Sequence, residues 1–212
     1  MSKIAVIVGS LRRESINRRL ARAMVRLPAA QGHEFSWPEI GDLPLYDQDD
    51  DSSPSAQTTR LKHEIRAADG VIFVTPEYNR SIPGVLKNAV DHASRPYGDS
   101  AWAGKPAGIV SVSGGKPGAA MAQQHLRNVL AYLDMPTLAQ PEAFIRWTDE
   151  LVTAEGEVGE HSRDFLNDWM GRFLKLVETH SKGSRSRSGR NCARSGRQSR
   201  PGACHAPSRD PS

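Results

Sequence analysis

Ile4-Ala5-Val6-Ile7-Val8-Gly9-Ser10-Leu11-Arg12-Arg13-Glu14-Ser15-Ile16-Asn17 is the stretch from which the fold can be read. An apolar, β-branched run feeds through Gly9 into a short polar loop, and Leu20, Ala23, Met24 and Leu27 then recur at helical spacing. A strand that turns tightly into a helix gathers unpaired backbone N–H groups and the positive helix end at one point, which suits a phosphate. Gly9 permits the turn, Ser10 and Ser15 offer hydroxyls, Arg12 a planar charged fork and Asn17 an amide. Together these groups can surround the oxygens of a terminal phosphate monoester. The plainer reading is a capped helix start with solvated arginines, Arg13, Arg18 and Arg19 among them. The loop is not Gly-x-Gly-x-x-Gly, and Gly-x-x-x-x-Gly-Lys-Ser/Thr occurs nowhere, which disfavours a dinucleotide pyrophosphate turn and a triphosphatase.

Outward from this stretch, His33–Trp37 reads as a weak second strand stopped by Pro38. Residues 39–55 read as a long loop containing Leu43-Pro44-Leu45-Tyr46-Asp47 and an acidic run at 49–51, with Ser53 or Ser55 capping the next helix. Gly70-Val71-Ile72-Phe73-Val74-Thr75 has the uninterrupted apolar character of a central parallel strand buried on both faces. It delivers the chain into Pro76-Glu77-Tyr78-Asn79 and a helix from about Val85 to Ala93. A fourth strand over 106–112 precedes Ser113-Gly114-Gly115-Lys116-Pro117-Gly118 and a helix over 119–133. A short fifth strand near 142–145 and a last helix over 161–180, with Phe165, Trp169, Phe173, Leu174 and Val177 on its apolar side, complete the pattern. Alternating elements with right-handed crossovers imply a flavodoxin-like three-layer α/β sandwich: a five-stranded parallel sheet in order 2-1-3-4-5 with helices on both faces.

The 212 residues suit one α/β domain, expected over 1–180, followed by a tail over 181–212. The tail holds eight of the 28 Lys and Arg but one of the 24 Asp and Glu, so the body is about 3 units negative and the tail 7 units positive. Rich in Ser, Arg and Gly and nearly free of apolar residues, the tail is expected to be disordered. Both cysteines, Cys192 and Cys204, lie in it, which excludes thiol chemistry in the body. No run approaches the roughly 20 apolar residues of a membrane span, so a cytoplasmic protein with no membrane partner is expected. His63-Glu64 is not followed by the second histidine of a zinc-protease helix, no Gly-x-Ser-x-Gly elbow occurs, and no metal site or catalytic side chain is assigned.

Three loops, at 9–17, 76–82 and 113–118, therefore meet at the carboxyl edge of the predicted sheet. In the second, backbone N–H groups can meet the edge of a flat heterocycle beside the Tyr78 ring, and an ordinary turn is the alternative. Glu77 has no partner carboxylate or histidine at an informative spacing, so a general-acid role is weakly supported. In the third, the glycines let the backbone approach a ligand closely.

Gly9-Ser10-Leu11-Arg12-x-x-Ser15-x-Asn17, Pro76-Glu77-Tyr78-Asn79-x-Ser81-Ile82-Pro83-Gly84-x-Leu86-Lys87-Asn88-Ala89-Val90-Asp91 and Ser113-Gly114-Gly115 resemble the NAD(P)H-dependent FMN reductases, a group with bacterial quinone and chromate reductases and azoreductase-like flavoproteins. The resemblance spans about residues 3–178 and implies non-covalent FMN, with NADPH or NADH as co-substrate. By matching position, Ser10, Arg12, Ser15, Ile16 and Asn17 would hold the 5′-phosphate. Pro76, Glu77, Tyr78 and Asn79 would line the isoalloxazine, chiefly through backbone groups, and Ser113, Gly114 and Gly115 would meet its pyrimidine edge. It further implies ping-pong transfer of hydride to FMN and on to a quinone, flavin, azo or metal-oxyanion acceptor, the electron chemistry being the flavin's. A homodimer is implied, with Leu43–Asp47 near the active-site rim, or a homotetramer, Arg127 and Glu142 lying where related enzymes make contacts between dimers. A non-enzymatic flavodoxin-type electron carrier remains the alternative, and nucleic-acid binding through the basic tail, which lacks aromatic residues, ranks below both.

Overall fold

The computed structural model describes the backbone of residues 1–194 and the side chains of residues 1–181. Five strands, β1 (Lys3–Val8), β2 (Glu34–Ser36), β3 (Gly70–Thr75), β4 (Ala107–Ser113) and β5 (Ala143–Arg146), form one sheet in the order β2-β1-β3-β4-β5. Every neighbouring pair is parallel, with Val8 opposite Val74 and Thr75 opposite Ser111. This is the flavodoxin-like order expected from the alternating pattern. The helices are α1 (Ile16–Met24), α2 (Ala56–Ala67), α3 (Gly84–Ser94), α4 (Ala120–Tyr132) and α5 (Glu160–Arg194).

Alternation along the strands divides the core into two layers. Ile4, Val6, Ile72, Val74, Val110 and Val112 face Leu20 and Met24 of α1 and Trp169, Met170 and Phe173 of α5. Ala5, Ile7, Val71, Phe73 and Ile109 face the opposite way, onto Leu61 and Ile65 of α2, Leu86 and Val90 of α3, and Leu126 and Leu130 of α4. Trp102 plugs this second layer, its ring 5.7 Å from that of Phe73 and its Nε1–H donating to the Val90 carbonyl at 2.9 Å. At Gly108 a side chain is excluded, since a Cβ would stand 2.7 Å from the Trp169 ring.

Three local expectations differ. Phe165 is 41 % exposed, and its neighbour Leu166 takes the buried position, because the helix turn that seats Trp169 and Phe173 places residue 166 inward. The loop over 39–55 contains a 3-10 turn, Gln48–Ser52, started by the Asp47 side chain accepting from the Asp49 N–H at 3.0 Å. The last helix, expected to end at His180, runs to Arg194, and the rest of the basic tail lies outside the described residues. No helix among the described residues is long and apolar enough to cross a membrane.

Candidate functional site

The expected loops meet at the carboxyl edge of β1, β3 and β4. Gly9 donates its N–H to the Val74 carbonyl at 2.8 Å, and the Asn17 amide donates to the Val112 carbonyl at 3.4 Å, which ties the first loop to the strand ending in the third. A Cβ on Gly9 would stand 3.0 Å from Thr75 Oγ1 and 3.1 Å from the Leu86 side chain, so glycine allows β1 to close against β3 and α3.

The start of α1 is rich in uncommitted donors. Ser15 caps the helix, its Oγ accepting from the Arg18 N–H at 3.2 Å, which leaves the hydroxyl proton free. Ser10, Ser15 and Asn17 are each no more than 3 % exposed. The backbone N–H groups of Ile16 and Asn17 have no acceptor among the described residues, and the first helical turn holds no acidic side chain. Asn17 Oδ1 is buried and unpartnered, although its Nδ2–H···O bond to Val112 fixes which end of the amide faces the strand. Such a set of open donors beside one open acceptor suits a ligand bearing both phosphate oxygens and hydroxyl groups. Arg12 is exposed at the mouth of this cradle and makes no hydrogen bond or ion pair with the described residues.

In the second loop, Tyr78 and Ser81 exchange backbone bonds at 2.9 and 3.0 Å across a tight turn with Asn79 at φ 51° and Arg80 at φ 66°. These angles are those of a type I′ turn, which favours Asn first and Gly second, so Arg80 is strained. Tyr78 is 48 % exposed and stands at the rim as a surface-facing ring. The Glu77 carboxylate is turned to the start of α4, Oε2 accepting from the N–H groups of Met121 and Ala122 at 3.0 and 3.1 Å. Arg80 lies 3.9 Å from the other oxygen. Ser81 Oγ and His125 Nδ1 are 3.0 Å apart, a second link to α4. In the third loop, Gly114 has open space where a side chain would be, while Gly118, at φ 61°, would drive a Cβ to 2.6 Å from the Ile145 nitrogen.

Sequence reasoning missed the supports of segment 43–47. Asn88 of α3 donates to the Pro44 carbonyl at 2.7 Å and accepts from the Tyr46 N–H at 2.8 Å. Buried His92, read from the sequence as one of several scattered histidines, sits between Thr58 Oγ1 at 3.0 Å and the Pro44 carbonyl at 2.9 Å. The Asn-x-x-x-His spacing placing both on one helix face was the available signal. Arg127 and Glu142 pair within this chain at 3.2 Å. An open cavity of about 770 Å³ lies at the opposite edge beside Arg66, Asp69, Lys105, Asp134 and His180. There burial pushes the Lys105 ammonium below its usual range, and the group caps the end of α2 through the Arg66 and Ala68 carbonyls. No group of three or more His, Cys, Asp or Glu placed to hold a metal occurs among the described residues.

Residues 2–148 match the family model described as NADPH-dependent FMN reductase. The chain is 49 % identical over 176 residues to a 2-hydroxy-1,4-benzoquinone reductase of a Burkholderia species, covering 82 % of this chain and 96 % of that one. It is 47 % identical, again over 176 residues, to a quinone reductase of Pseudomonas putida, covering 82 % and 94 %. Among solved structures, FerB of Paracoccus denitrificans, a flavoenzyme NAD(P)H:(acceptor) oxidoreductase, superposes with a TM-score of 0.81 at 41 % identity, covering 85 % of this chain and 99 % of that one.

Proposed function

The chain belongs to the NADPH-dependent FMN reductases, enzymes that use FMN with a nicotinamide nucleotide, and from that premise we propose that it oxidises NADPH or NADH and reduces quinones, in ping-pong order, as a homodimer. The observation that carries the site assignment is the open start of α1, where the Ile16 and Asn17 N–H groups and buried Asn17 Oδ1 lack partners among the described residues. The relatives named for quinone reduction support the acceptor class.

In this reading the Ser10 and Ser15 hydroxyls, the Arg12 guanidinium, the Ile16 and Asn17 N–H groups and the Asn17 amide hold the 5′-phosphate, with the helix end favouring its charge. The backbone of Pro76, Glu77, Tyr78 and Asn79 lines the flat ring system, and Ser113, Gly114 and Gly115 meet its pyrimidine edge, where N–H donors favour added negative charge. FMN, when bound, supplies hydride acceptance and two-electron donation. The chain's contribution is to orient the ring, leave one face open to the nicotinamide and then to the acceptor, and exclude water beneath the other face with Gly9 and the ends of the strands.

The test is a visible spectrum of the purified protein, identification of the flavin released on denaturation, and NADPH or NADH oxidation with benzoquinones, free flavins, azo dyes and chromate. Bound FMN with quinone-dependent turnover is expected. Bound FMN without pyridine nucleotide oxidation would refute the reductase in favour of an electron carrier.

A further inference from the structure

The backbone N–H groups that open α4 are all accounted for, and half of them by a residue from another loop. Ala120 donates to the Pro117 carbonyl at 3.1 Å and Gln123 to the Ala119 carbonyl at 3.1 Å. Between them, Met121 and Ala122 both donate to Glu77 Oε2. The residue in the usual capping position, Ala119, has φ 65° and no side-chain acceptor, so the helix does not cap itself. The helix starts at this sheet edge thus differ. At α1 the N–H groups of Ile16 and Asn17 stay open among the described residues, as do those of Gly84 and Val85 at α3, whereas at α4 those of Met121 and Ala122 are filled by a carboxylate that is only 14 % exposed and more than forty residues away in sequence.

We infer that Glu77 is a positioning residue that joins the second and third loops into one unit, so that the backbone groups of 77–79 and those of 113–115 are held at fixed spacing for the flavin. Each loop is irregular on its own. The 78–81 turn contains two non-glycine residues in the left-handed region, and Gly114 and Gly115 are exposed with little packed around them. A strained turn persists where its surroundings over-determine it. Here those surroundings are α4: its end through Glu77, its next turn through His125 to Ser81, and Met121 Sδ, which lies 3.8 Å from Arg80 Nη1. Because α4 grows directly out of the third loop, fixing its first turn also fixes where that loop ends. Binding that needs both loops in register is then linked to capping of α4, and the linkage is reciprocal.

The effect on flavin rests on the function proposed above; the contact between Glu77 and α4 does not. The experiment uses the full chain, stripped of flavin and then titrated with FMN, in Glu77→Ala, Glu77→Gln, Met121→Pro and the double variant of Glu77→Ala with Met121→Pro. Met121→Pro removes one of the two donors from the α4 side, at a first-turn position where proline is tolerated. Amide hydrogen exchange of the flavin-free protein should rise at 121–122 in Glu77→Ala and stay near wild type in Glu77→Gln, whose Oε1 can still accept. FMN affinity should fall about tenfold in Glu77→Ala, as expected for losing a buried charged acceptor shared by two amides. It should fall severalfold in Met121→Pro, recover largely in Glu77→Gln, and be no worse in the double variant than in Glu77→Ala, since both remove one linkage. Unchanged exchange in Glu77→Ala would overturn the cap. Raised exchange with FMN affinity within twofold of wild type in both Glu77→Ala and Met121→Pro would overturn the coupling, as would additive losses in the double variant. A wild-type chain that takes up no FMN would refute the proposed function while leaving the exchange result to decide the cap.

Discussion

Replacing Asn17 by Asp exchanges one nitrogen for one oxygen and reverses the logic of the α1 cradle. Asn17 is 2 % exposed, its Nδ2–H points at the Val112 carbonyl 3.4 Å away, and no acidic residue stands in the first turn of α1. In the flavin-free protein the new carboxylate gains about 0.3–1 kcal/mol from the helix end but loses the Val112 bond and is buried beside a carbonyl, so a net loss of about 1–3 kcal/mol in stability is expected. With a phosphate in the cradle the balance is different. Two unit charges about 4 Å apart at an effective dielectric of about 20 repel by roughly 4 kcal/mol, close to a thousandfold in affinity at pH 8. Burial raises the carboxyl's proton affinity and the phosphate loses charge near pH 6, so the gap to wild type should narrow as the pH falls toward about 5. The assay is fluorescence titration with FMN and, in parallel, with riboflavin, which lacks the phosphate. FMN should lose nearly all its advantage over riboflavin in Asn17→Asp, while riboflavin binds as to wild type. Equal losses for both ligands, or FMN binding within threefold of wild type, would refute the placement of the phosphate at α1.

Arg12→Ala should weaken FMN binding by about tenfold or more, the scale of one charge-assisted bond, with an unchanged melting temperature because Arg12 has no partner among the described residues; a weaker effect in high salt checks that charge is responsible. Arg80→Gly should raise stability by about 1 kcal/mol, near 2–4 °C in melting temperature, by relieving φ 66° at the loss of a long 3.9 Å ion pair whose arginine end is 71 % exposed. Asp99, bonded to Arg66 and Lys62, titrates at about 2, below its ordinary value. Its stabilising contribution is therefore complete above about pH 4 and lost as the pH falls through about 2. Thermal melts of wild type and Asp99→Asn should differ most near neutrality and converge below pH 2, and a gap that persists there would contradict the assignment.

The fold was legible because it is written in patterns a single sequence carries. The β3 run Gly70–Thr75 is buried at every position, and both layers of the core follow from strict alternation along β1, β3 and β4. Errors fell where neighbours decide: Phe165 has helical spacing but Leu166 has the contact, since helix rotation is fixed by what Trp169 and Phe173 pack against. Likewise the start of α1 capped by Ser15 was legible, because a strand, a tight turn and a helix cap are local devices. The supports of segment 43–47 were not, because Asn88 and His92 act on Pro44 across more than forty residues.

Glu77 shows why residue type alone misassigns a site. A carboxylate in a ligand-edge loop invites an acid–base role, and nothing local in Pro-Glu-Tyr-Asn argues otherwise. What decides is whether other groups already use its oxygens: Oε2 accepts from two N–H groups and Oε1 faces Arg80, so neither oxygen is free for a ligand. The same accounting runs in the opposite direction at α1, where the N–H groups of Ile16 and Asn17 and the buried Asn17 oxygen have no partner among the described residues. Unmet hydrogen-bonding capacity inside a protein costs about 1–3 kcal/mol for each group, which a fold keeps where a ligand will meet it. With the anion at α1, as proposed, and Glu77 committed to the start of α4, the division of roles follows from hydrogen bonds between segments more than forty residues apart, which residue type alone does not carry.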